Sequence, residues 1–277
     1  MEPLLQADQL VELLDRQDLV LIDVRYRLGS PGWGREQYLA GHLPGAVFVD
    51  VDEELSAPVA ADRVGGRHPL PAHADFQASM RRCGVRTDSH VVVCDQANSL
   101  AAARLWWLLR HHGHERVQVL DGGVEAWRAA GGELTTELPA PETGDVVAQP
   151  GRLPLATADE LPGLMEQGRH VVDVRAAERF RGESEPIDPV AGHIPGALNL
   201  PATTLQQSDG RFLPPGELRQ RLEVLRPGDV TSCGSGLTAS QVQLGAAAAG
   251  IGGLVLYAGS WSDWVSDPTR PVALGEQ

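Results

Sequence analysis

Three short motifs occur twice in this chain, in the same order. Leu21-Ile22-Asp23-Val24-Arg25 returns as Val171-Val172-Asp173-Val174-Arg175. Ala40-Gly41-His42-Leu43-Pro44-Gly45-Ala46 returns as Ala191-Gly192-His193-Ile194-Pro195-Gly196-Ala197. Gly122 to Trp127 is echoed by Gly259 to Trp264. The first two pairs are offset by 150 residues (21 to 171) and 151 residues (40 to 191). A period that long marks a duplicated domain rather than a solenoid unit. The chain must therefore fold as two homologous halves, 1–139 and 153–277. The stretch 140–152, set in the proline-rich run Pro139 to Pro150, has no clear period and reads as a linker.

Each half alternates short apolar runs with segments of helical spacing. Leu19–Val24, Val47–Val49, Val91–Cys94 and Val117–Leu120 read as strands. Ala7–Arg16, Arg35–Leu39, Asp75–Arg82, Leu100–His111 and Gly123–Ala130 read as helices. The alternation predicts an α/β fold, with a mainly parallel sheet flanked by helices in each half.

The composition narrows the function. A net charge of -14 argues against nucleic-acid and anionic-membrane surfaces as partners. All 23 basic residues are arginine, so a lysine Schiff base is excluded and any cationic contact must be a guanidinium. Cys83, Cys94 and Cys233 are scattered, without C-x-x-C or Cys/His spacing, so neither a zinc site nor a disulfide scaffold is expected. No run approaches a membrane span, and Met1 to Asp8 lacks the marks of a signal peptide. The expectation is a cytoplasmic protein without cofactor.

Val230 to Ser240, V-T-S-C-G-S-G-L-T-A-S, carries the chemistry. An apolar strand ends at Cys233, and Gly234-Ser235-Gly236 form a tight loop. A helix starts near Leu237. Converging loop N–H groups and a helix N-terminus favour thiolate over thiol. From the loop alone, Cys233 is a reactive thiol or a structural cysteine at a strand end. The duplication adds a comparison: anchoring on the strand ends sets Asp95, not Cys94, opposite Cys233. Only the second half then carries a nucleophile, and Cys94 and Cys83 read as buried, inert thiols.

The paired D-V-R and G-H-(L/I)-P-G-A motifs, the C-G-S-G-L-T-A loop and the ending L-Y-A-G-S-W-S-D-W with R-P-V resemble the tandem-domain rhodanese sulfurtransferases. The resemblance covers nearly the whole chain. It implies two homologous rhodanese-like domains, the first catalytically silent. Within that family, C-G-S-G is closest to the 3-mercaptopyruvate sulfurtransferases. Thiosulfate sulfurtransferases typically carry C-R-K-G, whose cations hold a sulfonate-like anion.

The resemblance implies that Cys233 takes sulfur from 3-mercaptopyruvate as a persulfide and releases pyruvate. A small-molecule donor and a thiophilic acceptor (cyanide, a thiol or thioredoxin) are the implied partners. Gly234, Gly236, Leu237 and Thr238 would supply the N–H cradle. Ser235, His68 and Asp52 would form a proton relay across the domain cleft; alternatively His68 is a loop histidine and Asp52 a helix cap or surface acid. Arg179 or Arg181 would bind the substrate carboxylate, with solvated loop arginines as the plain alternative. One departure stands out. Mercaptopyruvate enzymes often carry a second arginine in a P-x-P-R-like segment, and here Ile187 falls at about that place, implying poorer mercaptopyruvate binding. His42 and His193, present in both halves, read as structural.

Three rivals remain: a thiosulfate-preferring enzyme, a persulfide carrier or sensor without turnover, and a cysteine phosphatase. The last needs an arginine six positions after the cysteine, where Ala239 stands.

Overall fold

Short apolar runs become strands, and the central ones, rich in valine, are buried on both faces as parallel sheets require. In the computed structural model, which describes residues 1–276, these are β1 (Leu4–Leu5), β2 (Leu19–Asp23), β3 (Val47–Phe48), β4 (His90–Cys94) and β5 (Val117–Leu120). They form one sheet in the order β1-β5-β4-β2-β3, parallel throughout. The second half repeats the plan with β6 (Val171–Asp173), β7 (Leu198–Asn199), β8 (Val230–Ser232) and β9 (Val255–Leu256), ordered β7-β6-β8-β9 and again parallel. A single parallel bridge from Leu155 to Leu256 does for β9 what β1 does for β5.

The helix expected over Ala7–Arg16 ends at Val11, because the following turns close with i→i+3 bonds such as Leu13 N–H to the Leu10 carbonyl at 2.9 Å. Leu100–His111 is helical as its spacing predicts.

Chain contacts divide the molecule into two units. Unit 1 holds Met1–Ser56, Pro71–Arg152 and Gln206–Phe212. Its core includes Leu10, Leu21, Val92, Leu120 and Trp127. The run 140–152 is not a detached linker. Gly144 N–H donates to the Arg81 carbonyl at 2.8 Å, and Gln149 N–H to that of His112 at 2.9 Å, so backbone hydrogen bonds hold it on this unit.

Unit 2 holds Ala57–Leu70, Leu153–Leu205 and the chain from Leu213 onward. Its core includes Leu161, Val171, Phe180, Val230 and Trp261. Residues 57–70 form a strap drawn from the first half of the sequence. Gly65 N–H donates to Asp263 Oδ1 at 2.7 Å, and Arg67 N–H to Ser262 Oγ at 3.0 Å. Between them Gly66, at φ 79°, lies so close to the loop at Gly259 that a Cβ would stand 2.4 Å from the Gly259 carbonyl oxygen.

The duplicated motifs do the same work in each unit. Asp23 and Asp173 receive the buried guanidinium of Arg25 and Arg175. Each guanidinium also donates through Nη2 to a carbonyl of the G-H-x-P-G turn: Gly41 at 2.7 Å, Gly192 at 2.6 Å. His42 and His193 bond the carbonyls of Tyr38 and Phe180, both at 2.8 Å, and stack on those rings. These are scaffold groups.

Candidate active site

Strand register fixes the alignment of the two loops. Cys94 lies opposite Asp23, and Ser232 lies opposite Asp173. Cys94 is therefore equivalent to Ser232, and Asp95 to Cys233. The loop backbones agree. Val124 and Glu125 N–H donate to the carbonyls of Asp95 and Gln96, as Trp261 and Ser262 N–H do to those of Cys233 and Gly234.

Cys233 caps β8 and is 2% exposed. Its Sγ accepts the Gly236 N–H at 3.1 Å. Gly236 has φ 84° and starts the helix Leu237–Ala248. A Cβ there would press 2.5 Å from the Ala258 carbonyl oxygen, so glycine permits the tight loop. Leu237 and Thr238 belong to the helix's first turn, whose N–H groups lack intrahelical acceptors. Ser260 fixes the other side: its Oγ accepts the Cys233 N–H at 3.0 Å, donates to the Tyr257 carbonyl at 2.8 Å and lies 3.9 Å from Sγ. Ser260 has φ 55°, where its counterpart Gly123 has φ 54°. A serine in a region that favours glycine costs about 1–3 kcal/mol; here its hydroxyl anchors the cysteine. That residue was missed from the sequence, although unit 1 signalled it by placing glycine at the same turn.

Ser235 is buried, and its Oγ is 2.7 Å from His68 Nδ1, so the strap brings the imidazole to the loop. Asp52 lies in unit 1, in the turn after β3, with its N–H donating to Asp50 Oδ1 at 2.9 Å.

The cationic side is an ion-pair chain. Arg175 pairs with Asp173 and Glu185, Arg179 with Glu185 and Asp188, and Arg67 with Asp188. Burial alone would raise Glu185, but hydrogen bonds from Arg179 and from the Asp188 and Ile187 amides hold it below its ordinary value. Burial raises Asp188 against the pull of both guanidinium groups. Arg67 and Arg179 reach the loop: a Cβ on Gly234 would lie 2.8 Å from Arg67 Nη2 and 3.8 Å from both terminal nitrogens of Arg179. Arg181 is not brought there. It stands at the C-terminal cap of the short helix Ala177–Phe180 and pairs with the exposed Glu183 at 2.8 Å. Arg67, like Ser260, is not found from the sequence, as it lies 166 positions before Cys233 (233 − 67).

The other thiols are poor nucleophiles. Burial pushes Cys83 up to about 12 and Cys94 well above its ordinary value. In unit 1 the loop holds its own anion: the fully buried Asp95 accepts the N–H groups of Ser99, Ala101 and Ala102 at 3.1–3.2 Å. Burial nevertheless raises Asp95 to about 6, because desolvation outweighs those three donors. A folded-state value above the unfolded 3.8 means the native state holds the proton more tightly. Stability from this group is full below about 4 and is lost as pH rises through 6. The gap corresponds to about 3 kcal/mol. The unfolding free energy of wild type minus that of Asp95→Asn should therefore fall by up to that amount between pH 4 and 6; a flat difference would contradict it.

Among the described residues no group of three His, Cys, Asp or Glu could hold a metal ion, and no helix is long and apolar enough to cross a membrane.

A thiol at a strand–loop–helix junction, in the second of two duplicated parallel α/β units, defines a class. The rhodanese-like domain model matches residues 6–130 and 157–267, and the chain belongs to that family. It is 46% identical over 280 residues to a Pseudomonas aeruginosa protein named "Probable 3-mercaptopyruvate sulfurtransferase", covering 99% of this chain and 98% of that one. SseB of Mycobacterium tuberculosis, provisionally named a thiosulfate sulfurtransferase, is 45% identical over 284 residues, covering 98% and 97%. The crystal structure of the 3-mercaptopyruvate enzyme SseA from Escherichia coli superposes with a TM-score of 0.81 at 34% identity, covering 95% of this chain and all of SseA.

Proposed function

We propose that this enzyme transfers sulfur from 3-mercaptopyruvate through a Cys233 persulfide. The observation that carries the reading is the Cys233 loop with a neutral Gly234-Ser235, a Ser235–His68 contact and guanidinium groups beside it. The Cys233 thiolate attacks the donor sulfur and forms the S–S bond. The donor C–S bond breaks, and its electron pair leaves with the carbon as the enolate of pyruvate. Ser235 donates a proton toward that enolate and is resupplied by His68, which is the use a hydroxyl–imidazole pair has in general acid catalysis. The Gly236 N–H and the first-turn N–H groups at Leu237 and Thr238 stabilise the anionic persulfide. Arg179 binds the substrate carboxylate, for which a guanidinium is suited. Asp52 as the third relay member rests on the family resemblance alone. A thiol or thioredoxin-like acceptor then attacks the outer sulfur and returns the thiolate. The free state of all three cysteines favours a reducing compartment such as the cytoplasm.

A thiosulfate donor is the second reading. The name of SseB favours it. Pyruvate release from mercaptopyruvate and sulfite release from thiosulfate, each with cyanide as acceptor, separate the two. We expect the larger kcat/KM for mercaptopyruvate; a large advantage for thiosulfate would overturn the assignment.

Ser235→Ala should lower kcat for mercaptopyruvate by about 10²-fold, the lower range for a general acid. Ser235→Ala/His68→Ala should lose little more, because the two act as a unit. Multiplying losses in the double variant would refute the pair.

A further inference from the structure

We propose that Arg67 is the second cation for the donor carboxylate, paired with Arg179 over Gly234. This rests on the mercaptopyruvate reading. Where the family resemblance sets a second arginine, the chain has an exposed Ile187 and then Asp188. Asp188 is not a vacancy in the site. Its side chain is 1% exposed, and its Oδ1 takes Arg67 Nη1 while Oδ2 lies 3.4 Å from Arg179 Nη2. One buried carboxylate thus holds two guanidinium groups, and the missing cation arrives on the strap instead.

The remaining donors of Arg67 point to a ligand. Its side chain is 16% exposed, so a small anion can reach it. Nη2 stands beside Gly234, the residue that follows Cys233. Gly234 leaves the space: any side chain would displace Nη2. The chain of pairs is balanced, three arginines (67, 175, 179) against Asp173, Glu185 and Asp188. A donor with one carboxylate therefore meets a pre-set clamp without a large excess of positive charge, which suits a 2-oxo acid better than a dianion.

Arg67→Met keeps the apolar stem and removes the fork. Steady-state kinetics with mercaptopyruvate should show KM raised about 10- to 100-fold, the value of one or two hydrogen bonds to a charged group, while kcat changes by less than about threefold. Arg67→Lys should fall between, since an ammonium cannot serve Asp188 and substrate together. Pyruvate, as a competitive inhibitor, should weaken in parallel. Stripping of sulfur by cyanide from enzyme already loaded as the persulfide should keep its rate, because that step involves no donor carboxylate. Unchanged KM and pyruvate inhibition in Arg67→Met would overturn the proposal. So would equal loss in loading and stripping, which would make Arg67 a strap anchor only. Wild type that turns over thiosulfate alone would sink the donor assignment and the proposal with it, a result visible before any variant is made.

Discussion

Cys233→Ser should lose sulfur transfer from every donor by at least about 10⁴-fold, the scale on which removing a nucleophile acts in covalent catalysis. The thiolate is the attacking species, and a serine hydroxyl neither ionises near neutral pH nor forms a stable bond to sulfane sulfur. The fold should survive. Serine oxygen can still accept the Gly236 N–H, and the backbone bonds of Cys233 to Ser260 and Trp261 are independent of its side chain. Mass spectrometry after exposure to donor should show one added sulfur atom on wild type and none on Cys233→Ser. Cys83→Ala and Cys94→Ala should still load, since burial holds both thiols protonated. Retained turnover in Cys233→Ser, with an unaltered melting temperature, would remove the basis for every sulfur-transfer reading.

The loop around Cys233 was legible because its determinants are local. A strand end, small residues and a helix start follow one another in sequence, and the duplication supplied an internal control in Asp95. Strand register made that control firm, setting Cys94 and Ser232 at equivalent positions. Arg179 and Arg181 came from the family resemblance, and only the fold separates them, setting Arg179 beside Gly234 and pairing Arg181 with Glu183. Arg67 was not legible, because its partner Asp188 lies 121 positions away and no periodicity links them. Nor was the allegiance of the strap, which depends on Gly66 meeting the Gly259 turn. The run 140–152 misled for a related reason. Proline and the lack of period mark irregular structure, but not whether its backbone bonds to the body beside it. Ser260 lies between these cases, within a quoted motif but with a φ that only the fold reveals.

Gly66→Ala should be the most damaging change outside the loop itself. The methyl group would stand 2.4 Å from the Gly259 carbonyl oxygen and 2.5 Å from Ser262 Oγ. The first is backbone and cannot turn aside. The second accepts the Arg67 N–H, so relief by moving Ser262 breaks the next anchor. The positive φ adds about 1–2 kcal/mol for any residue with a Cβ. The strap must therefore lift, and it carries both His68 and Arg67. A shift of about 1 Å in groups that position substrate can cost about 10²-fold, so kcat/KM for mercaptopyruvate should fall at least that far. Gly65→Ala separates strain from contact. It has the same kind of φ, 87°, but the nearest atoms to its Cβ would be Pro69 Cβ at 3.3 Å and Pro69 Cγ at 3.6 Å. It should lose stability comparably from the backbone while retaining most activity. Equal activity in the two variants would mean that the close approach at Gly259 does not hold His68 and Arg67 in place.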